Sequence, residues 1–224
     1  MRNLVIFGAS NILSDIFDCA IANQLHIKSV VLHHAEAVGE RDRSVQERIA
    51  DLQVFGQTPQ LLSFEEFQPQ ADELYILGPT TPQRSVLASE LVQRFGLKFT
   101  TLIHPTAYVS PLAKLGQGVF IGANSVIGPG VHLDQHVFVN RGVTVGHDTR
   151  VGAFSRLQPG CNLGGLSVIG EAVTVGIGAT LIERLVIGDH AFLGAGAVVT
   201  GDVAYNSLVV GVPAKFKKLV NQDL

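Results

Sequence analysis

The pattern of hydrophobic residues changes near residue 102. Before it, short apolar runs that suit buried strands alternate with stretches whose apolar residues recur every three or four positions. The predicted strands cover residues 4–7, 30–32, 54–55 and 74–77. One helix is expected after the first strand, and another begins at Pro82, ends at Gly96 and buries a face formed by Val86, Leu87, Leu91 and Val92. This alternation predicts a small Rossmann-like α/β domain with a mostly parallel sheet over residues 1–102.

From Ile103 to Val199, every sixth residue is Ile, Leu or Val, at seventeen successive positions. A small or β-branched residue follows four positions later in nearly every hexad. A period of six fits neither a helix nor an ordinary strand, and it is typical of a solenoid built from short parallel strands. Three hexads form one three-sided lap of eighteen residues. We therefore expect a parallel β-helix of five to six laps over residues 103–204, followed by a C-terminal tail over residues 205–224.

Composition and charge narrow the classes of function. The chain has 16 Lys and Arg against 19 Asp and Glu, so it offers no broad basic face for a nucleic-acid backbone. It has no run of 18 apolar residues and no signal-peptide pattern, so we expect a cytoplasmic protein with no membrane partner. Its two cysteines do not make a disulfide framework. Cys161 belongs to the small-residue core series and is not expected to be a nucleophile.

His147 is one of eight histidines and is not expected to belong to the core. It follows the inward-facing Val145 by two positions, so it should lie outside the prism, and Asp148 comes directly after it. A lap of eighteen residues stacks His147 between Pro129 and Gly165. An imidazole with an ordinary pKa of about 6.5 suits proton removal near neutrality. The peptide N–H of Gly165 can donate to a developing oxyanion. His132, His136 and His190 are expected on the prism surface.

The hexads resemble those of the left-handed β-helix, hexapeptide-repeat acyltransferases. More narrowly, the chain resembles the NeuD/PglD-like bacterial sugar acetyltransferases. The match runs from Asn140 through Gly146-His147-Asp148 to Phe154, and residues 210–215 resemble the family's closing segment. The resemblance implies an acetyl-CoA-dependent N-acetyltransferase acting on a nucleotide-linked amino sugar of the 4-amino-4,6-dideoxyhexose type. It makes His147 the general base and Asp148 its acidic neighbour, with direct transfer in a ternary complex.

The resemblance also implies where the substrates bind. Acetyl-CoA would lie along the prism between two subunits of a homotrimer, with no metal, and the matched residues are Gly165, Gly176, Gly178, Gly194, Ala195, Pro213 and Lys215. The nucleotide sugar would bind mainly in the N-terminal domain, where a diphosphate suits the N-terminus of the first helix. The residues at the corresponding positions are Gly8, Ala9, Ser10, Asn11, His33, His34, Gly78, Pro79 and Asn140.

Other functions remain open on the sequence. A sugar O-acetyltransferase of the sialic-acid type is the nearest alternative. The loop that begins at Gly8 lacks the family's second glycine and histidine, and His33-His34 replaces an acidic pair, which keeps a non-catalytic nucleotide-binding scaffold as a further alternative. A zinc-dependent β-helix of the carbonic-anhydrase kind is disfavoured, because no two histidines here are five residues apart.

Overall fold

The N-terminal part is a four-stranded parallel sheet with helices between its strands. The computed structural model describes residues 2–36 and 38–220. The elements are β1 Asn3–Phe7, α1 Leu13–Ala22, β2 His26–Leu32, α2 Val45–Asp51, β3 Gln60–Ser63, β4 Glu73–Leu77 and α3 Arg84–Phe95. The strand order is β3-β2-β1-β4, with every neighbouring pair parallel, as predicted for an α/β domain. No helix within the described ranges is long and apolar enough to cross a membrane.

Two local predictions for this part are wrong. Residues Leu52–Phe55 form a 3-10 helix instead of a strand, and the side chains of Val54 and Phe55 are 83% and 59% exposed. The third strand of the sheet is instead β3, at Gln60–Ser63. Helix α3 ends at Gly96 as expected, but Val86 and Val92 are 70% and 48% exposed. The buried face follows the helical spacing of Arg84, Leu87, Ala88 and Leu91.

A three-sided prism of seventeen two-residue strands follows. Each strand ends at one of the seventeen predicted aliphatic positions, and strands eighteen residues apart pair in parallel, as in Val145 opposite Leu163. This arrangement agrees with the predicted left-handed β-helix. The strands are β5 Leu102–Ile103, β6 Tyr108–Val109, β7 Lys114–Leu115, β8 Phe120–Ile121, β9 Val126–Ile127, β10 His132–Leu133, β11 Phe138–Val139, β12 Thr144–Val145, β13 Arg150–Val151, β14 Arg156–Leu157, β15 Asn162–Leu163, β16 Val168–Ile169, β17 Thr174–Val175, β18 Thr180–Leu181, β19 Val186–Ile187, β20 Phe192–Leu193 and β21 Val198–Val199.

The strands form three sheets, which we call faces 1, 2 and 3 in the order in which the chain visits them. Face 1 runs from β5 to β20 and is extended by two further strands, face 2 runs from β6 to β21, and face 3 runs from β7 to β19. The aliphatic residue that ends a strand points into the prism, and these residues form one buried cluster. The turns between faces are the corners 1–2, 2–3 and 3–1.

The N-terminal part packs on face 1 and shares its core with the prism. Phe120 and Phe138 stack on each other on this face, with ring centroids 4.9 Å apart and an interplanar angle of 7°. Both belong to a buried cluster with Leu4, Ile16 and other residues of β1, α1 and β2. The two parts are therefore joined by hydrophobic packing.

The tail closes the far end of the prism. Strand β22 Ser207–Val210 pairs in parallel with β20, and β23 Lys215–Leu219 pairs antiparallel with β22. The peptide bond between Val212 and Pro213 is cis. The tail is thus part of face 1 and not simply a solvated end, although residues 221–224 lie outside the described range.

Candidate active site

Corner 2–3 carries His147 and Asp148 directly after β12. Asp148 has a left-handed backbone, with φ of +55°, and its Oδ2 lies 2.9 Å from Nδ1 of His147. Both side chains are open to solvent, at 55% and 59% exposure. A carboxylate at Nδ1 favours the tautomer whose proton sits on Nδ1, which leaves a lone pair on Nε2.

Gly165 lies one lap beyond His147, as the eighteen-residue period predicts. The N–H of Leu166 donates to the carbonyl of His147 over 2.8 Å, and the N–H of Asp148 donates to the carbonyl of Pro129 over 2.9 Å. A Cβ on Gly165 would lie 2.8 Å from Nε2 of His147. A side chain is excluded at Gly146 for the same reason, since a Cβ added there would lie 2.5 Å from the Gly165 nitrogen. Within the described residues no acceptor is found for the Gly165 N–H. The corner therefore holds a basic nitrogen close to an available peptide donor.

The other residues predicted for acetyl-CoA lie elsewhere on the prism. Gly176, Gly178, Gly194 and Ala195 are at corner 1–2, across face 2 from His147. They are closely stacked: a Cβ on Gly176 would lie 2.7 Å from the nitrogen of Ala195. Lys215 lines a cavity of about 390 Å³ at the end of the prism, and Pro213 is in the turn before it. The structure thus divides these residues between two edges of face 2 and the tail.

The residues predicted for the nucleotide sugar are brought together at the carboxyl ends of β1, β2 and β4, with one exception. A Cβ on Gly8 would lie 2.8 Å from Cδ of Pro79 and 3.1 Å from Cε1 of His33. The hydroxyl of Ser10 donates to the carbonyl of Gly78 over 2.8 Å. A cavity of about 220 Å³ opens here, and the predicted residues that line it are Ala9, Ser10, Asn11, His33 and His34.

Asn140 is the exception. It lies at corner 1–2, is buried and is held by the prism itself. Its Oδ1 accepts from the N–H of Arg141 over 2.8 Å, and its Nδ2 donates to Gln158 over 3.4 Å. The structure brings it next to neither the N-terminal cavity nor His147, so its role as a substrate ligand stays a prediction.

Arg48 lines the N-terminal cavity and was missed in the sequence. Its guanidinium donates to Oγ of Ser14 over 2.6 Å, to Oδ1 of Asn11 over 3.2 Å and to the carbonyl of Arg43 over 3.2 Å. It is buried, yet within the part of the chain described here it forms no ion pair with a carboxylate. A buried guanidinium with neutral partners beside a helix N-terminus suits an anionic ligand. The spacing of Val45, Arg48 and Ile49 placed it on the buried face of α2, which was an available sequence signal.

His33 and His34 form a histidine pair at the cavity. Burial lowers the pKa of His33, and neighbouring His34 lowers it further against the opposite effect of Glu90. The two rings lie 4.2 Å apart, and Nδ1 of His33 is buried with no hydrogen-bond partner among the described residues. The lowered pKa favours the uncharged form of His33, so this position lacks the two negative charges of an acidic pair.

Cys161 and His136 are buried. Burial raises the pKa of the Cys161 thiol to about 12, which keeps the thiol protonated at neutral pH. His136 is not on the surface as expected: it lies between Phe99 and Phe154, and burial together with Arg84 lowers its pKa to about 4. No group of three His, Cys, Asp or Glu side chains that could hold a metal is found in residues 2–36 and 38–220.

Comparisons with known proteins agree with this geometry. The family described as the GMPPB C-terminal domain matches residues 98–218, and no curated protein matches the chain. The acetyltransferase domain of PglB from Neisseria gonorrhoeae FA1090 is 28% identical with a TM-score of 0.81, covering 97% of this chain and 100% of that one. PerB from Caulobacter crescentus, solved with CoA and GDP-perosamine, is 26% identical with a TM-score of 0.77, covering 97% and 98%. WeeI from Acinetobacter baumannii AYE, 19% identical with a TM-score of 0.74 over 97% and 100% of the two chains, shares the fold.

These likenesses confirm two predictions, the resemblance to hexapeptide-repeat sugar acetyltransferases and the enzyme class of acyltransferase. The family match covers more than half of the chain, and the structural likeness extends over nearly all of it. The chain belongs to the GMPPB C-terminal domain family and has the architecture of the bacterial hexapeptide-repeat sugar N-acyltransferases.

Proposed function

We propose that the chain transfers the acetyl group of acetyl-CoA to the amine of a nucleotide-linked amino sugar of the 4-amino-4,6-dideoxyhexose type. The observation that carries this proposal is the His147–Asp148 pair with Nε2 beside the peptide of Gly165. Two relatives support the substrate class, since one was solved with acetyl coenzyme A and another with CoA and GDP-perosamine. The proposal includes a left-handed winding of the prism and a Rossmann-like nucleotide site.

In the proposed reaction, Nε2 of His147 takes a proton from the sugar amine while the nitrogen attacks the thioester carbonyl carbon. The N–H of Gly165 stabilises the negative charge on the carbonyl oxygen. The C–S bond then breaks, and the departing CoA thiolate takes the proton from the imidazolium. Asp148 holds the imidazole in the required tautomer and stabilises its charged form. Direct transfer fits the buried, protonated Cys161, which offers no alternative nucleophile.

Acetyl-CoA is proposed to lie along face 2 in a homotrimer whose active sites form between subunits. Its thioester would reach Gly165 at corner 2–3, while its pantetheine and phosphates would extend toward Gly176, Gly194 and Lys215. Exposed apolar side chains flank this face, among them Val126, Leu166 and Ile182. Such side chains suit burial against a second subunit. Light scattering after gel filtration is expected to give three times the chain mass, and a monomer would contradict this part of the proposal.

The nucleotide is proposed to bind in the cavity at the carboxyl ends of β1 and β2, the usual position for a ligand of an open parallel sheet. The diphosphate would lie at the N-terminus of α1, where Arg48 supplies a positive charge next to Asn11. His33 and His34 would contact the base or ribose by hydrogen bonds. In this placement, Arg48 would supply the contact to the diphosphate that the altered loop at Gly8 does not supply.

Thiol release from acetyl-CoA tests the proposal directly. The purified protein is assayed with UDP-, GDP- and dTDP-linked amino sugars and with a sialic acid. We expect turnover with at least one nucleotide amino sugar, and a loss of about 10³-fold in His147→Asn, because a positioned base contributes about 10²–10⁴-fold. His132→Asn is the matched control, since His132 is also exposed and has a carboxylate, that of Asp134, at 3.5 Å.

The other outcomes identify the alternatives. Turnover with sialic acid alone would favour an O-acetyltransferase. Binding of a nucleotide sugar without turnover of any acceptor would favour a scaffold. Equal losses in His147→Asn and His132→Asn would remove His147 from the reaction.

A further inference from the structure

Arg84 is a buried cation at the junction of the two parts of the chain. It is the first residue of α3, and its side chain reaches corner 3–1 of the prism. Nη1 donates to the carbonyls of Thr80 and Thr81 over 2.7 and 3.0 Å. Nη2 donates to the carbonyl of Ser155 over 3.1 Å and to that of His136. One guanidinium thus joins one backbone segment of the N-terminal part, Thr80 and Thr81, to two segments of the prism.

The four acceptors belong to functionally important segments. Thr80 and Thr81 directly follow Gly78 and Pro79, which contact the candidate nucleotide loop. His136 and Ser155 stand at the two ends of one lap of the prism, and His147 lies within that lap. Arg84 is therefore bonded both to the loop at the nucleotide cavity and to the lap that carries the proposed base.

Burial of the charged Arg84 side chain costs free energy that burial of an apolar side chain would not. Burial, and to a smaller extent nearby Arg156, lowers the pKa of Arg84. The hydrogen-bond acceptors of its guanidinium are carbonyls, and no carboxylate among the described residues forms an ion pair with it. A buried cation without a counter-charge is unfavourable for stability alone, and an apolar residue of similar volume is often as good. The planar fork of arginine, however, holds several acceptors in fixed directions, which a lysine ammonium does not.

We propose that Arg84 is a positioning residue that fixes the loop at the nucleotide cavity relative to the lap that carries His147. The role rests on the proposed function. By holding both segments, Arg84 sets the direction in which the bound sugar amine meets the acyl-transfer corner. Misplacement by about 1 Å can lower a rate about 10²-fold without loss of binding.

The test compares Arg84→Lys and Arg84→Met with wild type and with Arg94→Met. Arg94 lies on the same helix but is exposed and stacks on Phe64 and Phe95, away from the prism. Four quantities are measured for each variant: melting temperature, the Kd for acetyl-CoA, the Kd for the nucleotide sugar, and kcat at saturation. We expect both Arg84 variants to fold, to bind each substrate within about twofold of wild type, and to lose about 10²-fold in kcat. Arg94→Met is expected to keep all four values.

Several results would overturn the proposal. A kcat within twofold of wild type in either folded Arg84 variant would show that the contact is only structural. A loss of binding large enough to account for the whole fall in kcat/KM would do the same. If neither variant folds, Arg84 is a folding determinant and the positioning role is rejected. A wild-type protein that releases no thiol with any acceptor would instead reject the proposed function, which is a separate outcome.

Discussion

At the scale of single residues, the site depends on the absence of a side chain at Gly165. Its backbone is not left-handed, so alanine is compatible with its conformation, but the added Cβ would lie 2.8 Å from Nε2 of His147. We expect Gly165→Ala to displace the imidazole and to lower kcat about 10- to 100-fold, because small misplacements of reacting groups are costly. The melting temperature should change little. Steady-state kinetics and thermal unfolding check both expectations.

Gly201→Ala is the control for this substitution, since a Cβ there meets nothing within 4 Å. It should keep wild-type kinetics. Unchanged kcat in Gly165→Ala would contradict the view that this crowded contact holds the imidazole in place.

His136 predicts a specific dependence of stability on pH. Its pKa is lowered to about 4 by burial and by Arg84, against about 6.5 in the unfolded chain. Below pH 6.5 the unfolded state binds the proton first, so the free energy of unfolding falls as the pH drops from about 6.5 to about 4, by about 3 kcal/mol in total. Above pH 7 this contribution is constant. Urea unfolding at pH 7 and pH 5 measures the difference.

Substitution of His136 by phenylalanine should remove that dependence. Phe154 occupies the equivalent position one lap later with nearly the same left-handed φ, +57° against +56°, so the backbone accepts a phenyl ring there. His136→Phe should therefore lose less stability between pH 7 and pH 5 than wild type, whereas exposed His132→Phe should not. If His136→Phe loses as much stability between pH 7 and pH 5 as the wild type, other groups cause the pH dependence.

At the scale of elements, the prism is stabilised by the aliphatic residues that point into it. Leu157 is fully buried in this cluster. Leu157→Ala should lower the free energy of unfolding by about 3 kcal/mol, since deletion of a buried leucine leaves a cavity. Val86→Ala, at an exposed apolar position, should cost less than about 0.5 kcal/mol. Equal costs in chemical denaturation would contradict the inward placement of Leu157.

The elements differ in how well the sequence predicted them. The prism was predictable strand by strand because one aliphatic residue per hexad marks both the position and the inward direction of each strand. The strand predicted at Val54 and Phe55 was wrong because apolar character does not distinguish a short buried strand from an exposed turn. The stacking of Gly165 beside His147 followed from the lap length, whereas the role of His147 as a base came from the family resemblance. Arg84 did not follow from a hydrophobic pattern, because carbonyls in distant segments hold its side chain, whereas the spacing of Val45, Arg48 and Ile49 does indicate the buried position of Arg48.

At the scale of the whole molecule, the two parts should unfold together. Phe120 and Phe138 of face 1 belong to the same buried cluster as residues of β1 and α1. Calorimetry of the wild type should give one cooperative transition. Phe138→Ala should remove about 3 kcal/mol of packing at this junction and separate the transition into two, with the prism melting last. Exposed Phe55→Ala should keep one transition, and two transitions in wild type would contradict the shared core.

The way the tail crosses the end of the prism bears on self-association. The last strands of faces 2 and 3 would otherwise present open backbone groups to a further parallel lap. Instead, the carbonyl of Gly211 and the N–H of Ala214 bond to Val198, while the N–H of Gly188 donates to the carbonyl of Val203. Face 1 finishes with the antiparallel β23, which carries Lys215, Lys217 and Lys218. Exposed sheet edges nucleate fibres, and reversed direction with clustered positive charge discourages templated growth. Prisms of this chain should therefore resist end-to-end polymerisation even at high concentration.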